Sequence, residues 1–190
     1  MKKKVLKLSL ILLSFEFTTA GCQKDEIIDV RYPFKLQYAI HNEERQEVTR
    51  IKEGENFYIY FSIENTSDRH ASIDKHELFF NNELFNIYDR NNNTIVGNPV
   101  ERNVCLAKMG CLGQPHVKNE ITIPYPLKND TTVGFMCCSY KLYKFPELPQ
   151  GKYFIKYTAS IPFFYITDTH QVESHETGNY NLEYKFEIVK

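Results

Sequence analysis

The stretch Phe57-Tyr58-Ile59-Tyr60-Phe61-Ser62-Ile63 limits what this chain can fold into more than any other. Phe57, Ile59, Phe61 and Ile63 fall on alternate positions, with Tyr58, Tyr60 and Ser62 between them. Side chains alternate across a β-strand, so this spacing makes one apolar face and one polar, hydroxyl-bearing face. A helix would scatter the same residues around its circumference. The run is bounded by Gly54 before it and by Asn65-Thr66-Ser67-Asp68 after it, both of them turn chemistry.

The same period of two recurs elsewhere. Phe34, Leu36, Tyr38 and Ile40 alternate with Lys35, Gln37 and Ala39. Leu182, Tyr184, Phe186 and Ile188 alternate with Glu183, Lys185 and Glu187. Shorter strands are expected around Val48–Ile51, His70–Ile73, Leu84–Tyr88, Thr94–Val96, Ile121–Ile123, Thr132–Tyr140 and Phe154–Ala159, with Leu78–Phe80 either a strand or a single helical turn. Asp89 to Asn93 reads as a hairpin turn using the left-handed tolerance of Asn. A calcium loop is the alternative there, but Thr94 stands where such a loop needs Gly, and Val100 where it needs Glu. Ile161 to Ile166 contains Pro162 and reads as an edge strand at best. Residues 97–120 read as an irregular insertion, and Thr167 to Asn179 as a polar loop. Short strands at regular intervals predict an all-β, antiparallel sandwich forming a single domain over residues 30–190.

Two resemblances extend this reading. Lys2, Lys3, Lys4 and Lys7 precede an apolar run from Leu8 to Phe15, which ends in Thr19-Ala20-Gly21-Cys22. This resembles a bacterial lipoprotein signal: residues 1–21 would be cleaved and Cys22 lipidated, with residues 22–29 as a tether. The apolar run is shorter than the roughly 20 residues a spanning helix needs. Gln23-Lys24-Asp25-Glu26 is similar to the acidic tag that directs lipoproteins of Bacteroidetes-type bacteria to the outer face of the outer membrane. The resemblance implies an outer-membrane, surface-exposed protein held by a lipid anchor. Thr19 departs from the Leu usual three positions before the cysteine, and Glu16 interrupts the apolar segment. Separately, Gly54-Glu55-Asn56-Phe57 through Asn65-Thr66-Ser67-Asp68, then Asn86-Ile87-Tyr88-Asp89, then Leu148-Pro149 with Gly151-Lys152-Tyr153, resemble the motif order of immunoglobulin-like domains of the bacterial intracellular proteinase inhibitor type. That implies an immunoglobulin-like sandwich.

Taking 21 residues from 190 leaves 169, enough for a substantial core. Four of the 23 basic and one of the 24 acidic residues lie in the signal, leaving 19 against 23 and a net charge of −4. No basic stripe emerges, so nucleic acid is not an expected partner.

Outside the cytoplasm, Cys105, Cys111, Cys137 and Cys138 are expected to form at least one disulfide, from Cys105 or Cys111 to Cys137 or Cys138. A local Cys105–Cys111 bond competes, as does a zinc site completed by His116, although no CxxC knuckle is present. His41, His70, His76, His116, His170 and His175 show neither HxH nor HExxH spacing and read as surface or loop residues. No GxSxG, phosphate loop or dinucleotide fingerprint occurs, and no carboxylate pair stands out. The expectation is a binding or accessory module without catalysis or cofactor, with a protein or glycan partner. The alternative is a proteinase inhibitor presenting the 97–120 stretch, pinned by a disulfide. Two aromatic surfaces are candidates for binding: Tyr58 with Tyr60, and Phe163, Phe164 and Tyr165. Packing inside the sandwich is the competing role for both.

Overall fold

The structure is a computed structural model that describes residues 33–73, 82–105, 111–166 and 172–190. The expected signal, Cys22 and the tether lie outside the described residues, as do Leu78–Phe80, His76 and His170.

The protein is all-β, and the described residues contain no α-helix. A first sheet has the order β1-β3-β9, with β1 at Phe34–His41, β3 at Phe57–Asn65 and β9 at Lys118–Tyr125. The alternating run read from the sequence is therefore its central strand. Its register runs from Phe34 opposite Asn65 to His41 opposite Tyr58 on one side. On the other side it runs from Phe57 opposite Tyr125 to Glu64 opposite Lys118. Pro124 lies in β9, an edge strand, where the missing N–H need not cost a ladder bond.

A five-stranded sheet has the order β2-β15-β12-β5-β6. Its strands are β2 (Arg50–Lys52), β15 (Tyr180–Val189), β12 (Gly151–Ala159), β5 (Ile87–Asp89) and β6 (Ile95–Gly97). β2 and β15 pair in parallel and the other neighbours antiparallel. A 3-10 turn, Asn82–Phe85, leads into β5. A third sheet, β10-β11-β7, joins Thr131–Phe135, Cys138–Leu142 and Val100–Cys105. A fourth, β14-β13-β4-β8, joins Val172–Glu176, Pro162–Ile166, Ala71–Ile73 and Cys111–Gly113.

The sheets close on one core in a sandwich-like manner. Phe57, Ile59, Phe61 and Ile63 are each no more than 2 % exposed. Phe57 reaches Phe186 of β15 at 5.6 Å between ring centroids, and Phe61 reaches Phe135 of β10 at 5.8 Å. Phe34 meets Phe163 of β13 edge-on at 5.2 Å. Burying each such side chain contributes roughly 1.5–3 kcal/mol. Two backbone expectations hold: Gly54 has φ +85 and Asn93 has φ +58, in the turn between β5 and β6. That turn is closed by side-chain caps, with the Asp89 carboxylate accepting from Asn91 N–H at 2.7 Å and the Asn92 carbonyl from Thr94 N–H at 3.0 Å.

Four expectations are corrected. The 97–120 stretch is mostly strand in its described part, entering β6, β7, β8 and β9. Thr132 to Tyr140 is a hairpin, not one strand: Phe135 faces Cys138 across a Met136-Cys137 turn, with Met136 at φ +52. Residues 172–176 of the expected polar loop form β14. β13 is an inner strand, paired with both β14 and β4, because Pro162 occupies its first position.

Candidate functional site

Alternation along the first sheet puts its inner residues in the core and leaves an outer face. That face carries Lys35, Gln37, Ala39 and His41 from β1, Tyr58, Tyr60, Ser62 and Glu64 from β3, and Lys118, Glu120, Thr122 and Pro124 from β9. The expectation that Tyr58 and Tyr60 turn away from the Phe57/Ile59/Phe61/Ile63 stripe holds. Their surroundings differ. Tyr60 is only 6 % exposed, because the His41 ring stacks on it at 4.5 Å and 25°. Tyr58 stays half-buried, with the Arg45 guanidinium 4.5 Å over its ring.

An open depression of about 550 Å³ lies on this face, lined by Gln37, His41, Arg45, Tyr60, Lys118, Glu120 and Thr122. Ala39 and Ser62, small and buried, lie beside Tyr60 on the same face. The Tyr60 hydroxyl donates to Glu120 Oε2 at 3.0 Å, and Lys118 Nζ lies 3.4 Å from the same oxygen. Contact with the Tyr60 hydroxyl, then with the Glu120 carboxylate, raises the Lys118 ammonium above its ordinary pKa. Burial lowers the His41 pKa, opposed chiefly by the Glu47 carboxylate. Arg45 is fixed by the hairpin it sits in: its N–H donates to Asn42 O at 3.1 Å, and Gln46 N–H donates to the Asn42 side-chain oxygen at 2.8 Å. Arg45 has φ +64 in that hairpin, and its guanidinium lies over the Tyr58 ring.

The second candidate surface is not available for docking as a unit. Phe163 and Tyr165 are 2 % and 4 % exposed and face the core, while Phe164 faces the other way and is half-buried. Their alternation on a paired inner strand splits the trio across two faces.

Among the cysteines, Cys138 stands directly opposite Cys105 in the β11–β7 ladder, and Cys111 opens β8 opposite Ile73. The Sγ atoms of Cys137 and Cys138 are 3.9 Å apart, well beyond a bond of about 2.05 Å. These neighbours are therefore not joined to each other. His116 lies at φ +55 and contacts Asp68 at 2.7 Å, at an exposed turn. Among the described residues, no group of three or more His, Cys, Asp or Glu side chains is arranged to hold a metal ion.

Gln37, Arg45, Lys118, Glu120 and Thr122 are not singled out by the sequence, and His41 reads there only as a surface or loop histidine. Each occupies a polar position of an alternating run or a turn, and that was the available signal. What joins them is the pairing of β1 and β9 onto β3, with about 80 residues between the two outer strands. No protein-family model matches the chain, and no curated protein matches it.

Proposed function

We propose that the chain is a lipid-anchored, outer-membrane binding module, exposed at the cell surface, that recognises its partner through the outer face of the β1-β3-β9 sheet without chemistry of its own. The observation that carries this reading is the polar depression on that face. It is built on ladder-paired strands and one capped hairpin, so its groups are held in place before any ligand arrives. The anchor rests on the lysine-rich start, the short apolar run and Ala20-Gly21-Cys22, and the surface assignment on Gln23-Lys24-Asp25-Glu26. An immunoglobulin-like arrangement fits the antiparallel ladders and the shared core.

Oxidised cysteines belong to the same reading. We infer a Cys105–Cys138 disulfide, supported by the two backbones standing opposite each other, with Cys111 and Cys137 left to pair. Inhibition by a long 97–120 loop is not adopted, because most of its described part is tied into strands.

The experiment is retention of the full chain on an array of cell-surface glycans and polysaccharides. Retention that Arg45→Gln or Tyr58→Ala reduces supports the outer face. Retention that neither variant changes refutes it, and no retention on any glycan refutes glycan recognition.

A further inference from the structure

Resting on that reading of the outer face, we propose that the depression takes a carboxylate-bearing saccharide, its carboxylate seated between Arg45 and Lys118. The lining carries two permanent cations, Arg45 and Lys118, against one carboxylate, Glu120. The Glu120 carboxylate is already committed, accepting from the Tyr60 hydroxyl at 3.0 Å and lying 3.4 Å from Lys118 Nζ. Its charge offsets part of one cation and leaves Arg45 as the second cation of the lining, with the Glu47 carboxylate acting on His41 and Glu64 opposite Lys118 lying outside the lining. The protein as a whole has a net charge of −1, so this excess runs against the average of the molecule.

Arg45 is presented in a form suited to an oxyanion. Its Cζ lies over the Tyr58 ring, 4.5 Å from the centroid, a cation–π contact that steadies a guanidinium carrying five N–H donors. A planar donor edge matches a carboxylate and forms charge-assisted hydrogen bonds, stronger than neutral ones. Lys118 is a compact charge in the same lining, its ammonium 5.8 Å from the Tyr60 ring centroid and 3.4 Å from Glu120 Oε2.

The rest of the lining reads hydroxyls. Gln37 and Thr122 offer an amide and a hydroxyl, and one oxygen of Glu120 remains to accept. A neutral sugar held mainly by stacking would need an exposed aromatic floor. Here Tyr60 is only 6 % exposed, because the His41 ring lies on it at 4.5 Å. Charge and hydrogen bonding, not a stacked sugar ring, therefore select the ligand. The openness of the depression suits a segment of a chain more than a buried small molecule.

The test titrates the full chain with trigalacturonic acid and with its trimethyl ester, which keeps the same three rings and hydroxyls but carries no charge. The acid is expected to bind at least about tenfold tighter than the ester, and to weaken as salt is added. Arg45→Gln and Lys118→Gln should each lower affinity for the acid about tenfold. Lys35→Gln lies on the same face outside the depression and should change it little. Unchanged thermal unfolding of the variants shows that they fold. Equal binding of acid and ester overturns the carboxylate assignment while leaving the outer face as a binding surface. Acid binding that survives both substitutions overturns the site. Binding of neither probe overturns the saccharide-carboxylate assignment, and the outer face is then judged separately by the array variants.

Discussion

Two tyrosines, each with almost no exposed surface, should respond to loss of the hydroxyl with opposite signs. Tyr140 is 2 % exposed, and its ring meets Phe85 edge-on at 5.8 Å. Its hydroxyl is buried and has no hydrogen-bond partner among the described residues. Tyr153 is 3 % exposed, with its ring 5.6 Å from Phe186, but its hydroxyl donates to the Pro149 carbonyl at 2.7 Å. Desolvating a hydroxyl without a partner costs roughly 1–3 kcal/mol, whereas a neutral hydrogen bond contributes about 1 kcal/mol net. Tyr140→Phe keeps the ring and its edge contact and removes the penalised group, so it should stabilise by about 1 kcal/mol. Tyr153→Phe keeps the ring, breaks the bond and leaves the Pro149 carbonyl short of a donor, so it should destabilise by about 1 kcal/mol. For a domain of this size, 1 kcal/mol moves Tm by about 2–4 °C. Thermal unfolding followed by circular dichroism should therefore place the two variants on opposite sides of the parent. A Tyr140→Phe variant that melts several degrees lower would refute the reasoning, since it would mean the hydroxyl is satisfied in the folded protein.

Further outcomes follow from burial, titration and sulfur chemistry. Phe163→Ala should cost about 3–5 kcal/mol by cavity formation, read as a large fall in Tm; a variant that melts like the parent would contradict its place in the core. Burial, then Glu47, pushes the Tyr184 pKa up to about 12, and burial raises Tyr38, Tyr125 and Tyr140 in the same direction. These groups keep their protons in the folded state where the unfolded chain loses them near pH 10, so the stability they contribute is full below about pH 10 and falls as pH rises towards 12. Tm should drop through that window, and less steeply in Tyr140→Phe; a flat profile contradicts the shifts. Peptide mass mapping without reductant should recover Cys105 linked to Cys138, and four free thiols or a Cys137–Cys138 linkage would contradict the pairing inferred from the ladder.

Residues whose environment is local were legible in the sequence. The alternation at Phe57–Ile63 identified both the inner stripe and the outward tyrosines, since one strand's pleat decides them. Gly54 and Asn93 announced their left-handed turns by residue type. The misreadings share a cause. The β10–β11 hairpin turns on Met136-Cys137, which lacks the Gly, Asn or Asp that usually marks such a turn, so two short strands looked like one. β14 is a polar strand beginning at Val172, and its pairing with β13 is what makes β13 an inner strand of its sheet and not an edge. The depression could not be read at all, because its residues belong to strands brought together only by long-range pairing on β3. Individually they are ordinary surface polar residues, and only the register makes them neighbours.

The proposed anchor requires that the native chain begin at Cys22. Intact and N-terminal mass spectrometry of the protein isolated from its own membranes tests this directly. Anchoring predicts a chain starting at Cys22, heavier than its residues by the mass of attached acyl groups, and a Cys22→Ser variant that carries none. A native chain starting at Met1, or one with an unmodified Cys22, would contradict it.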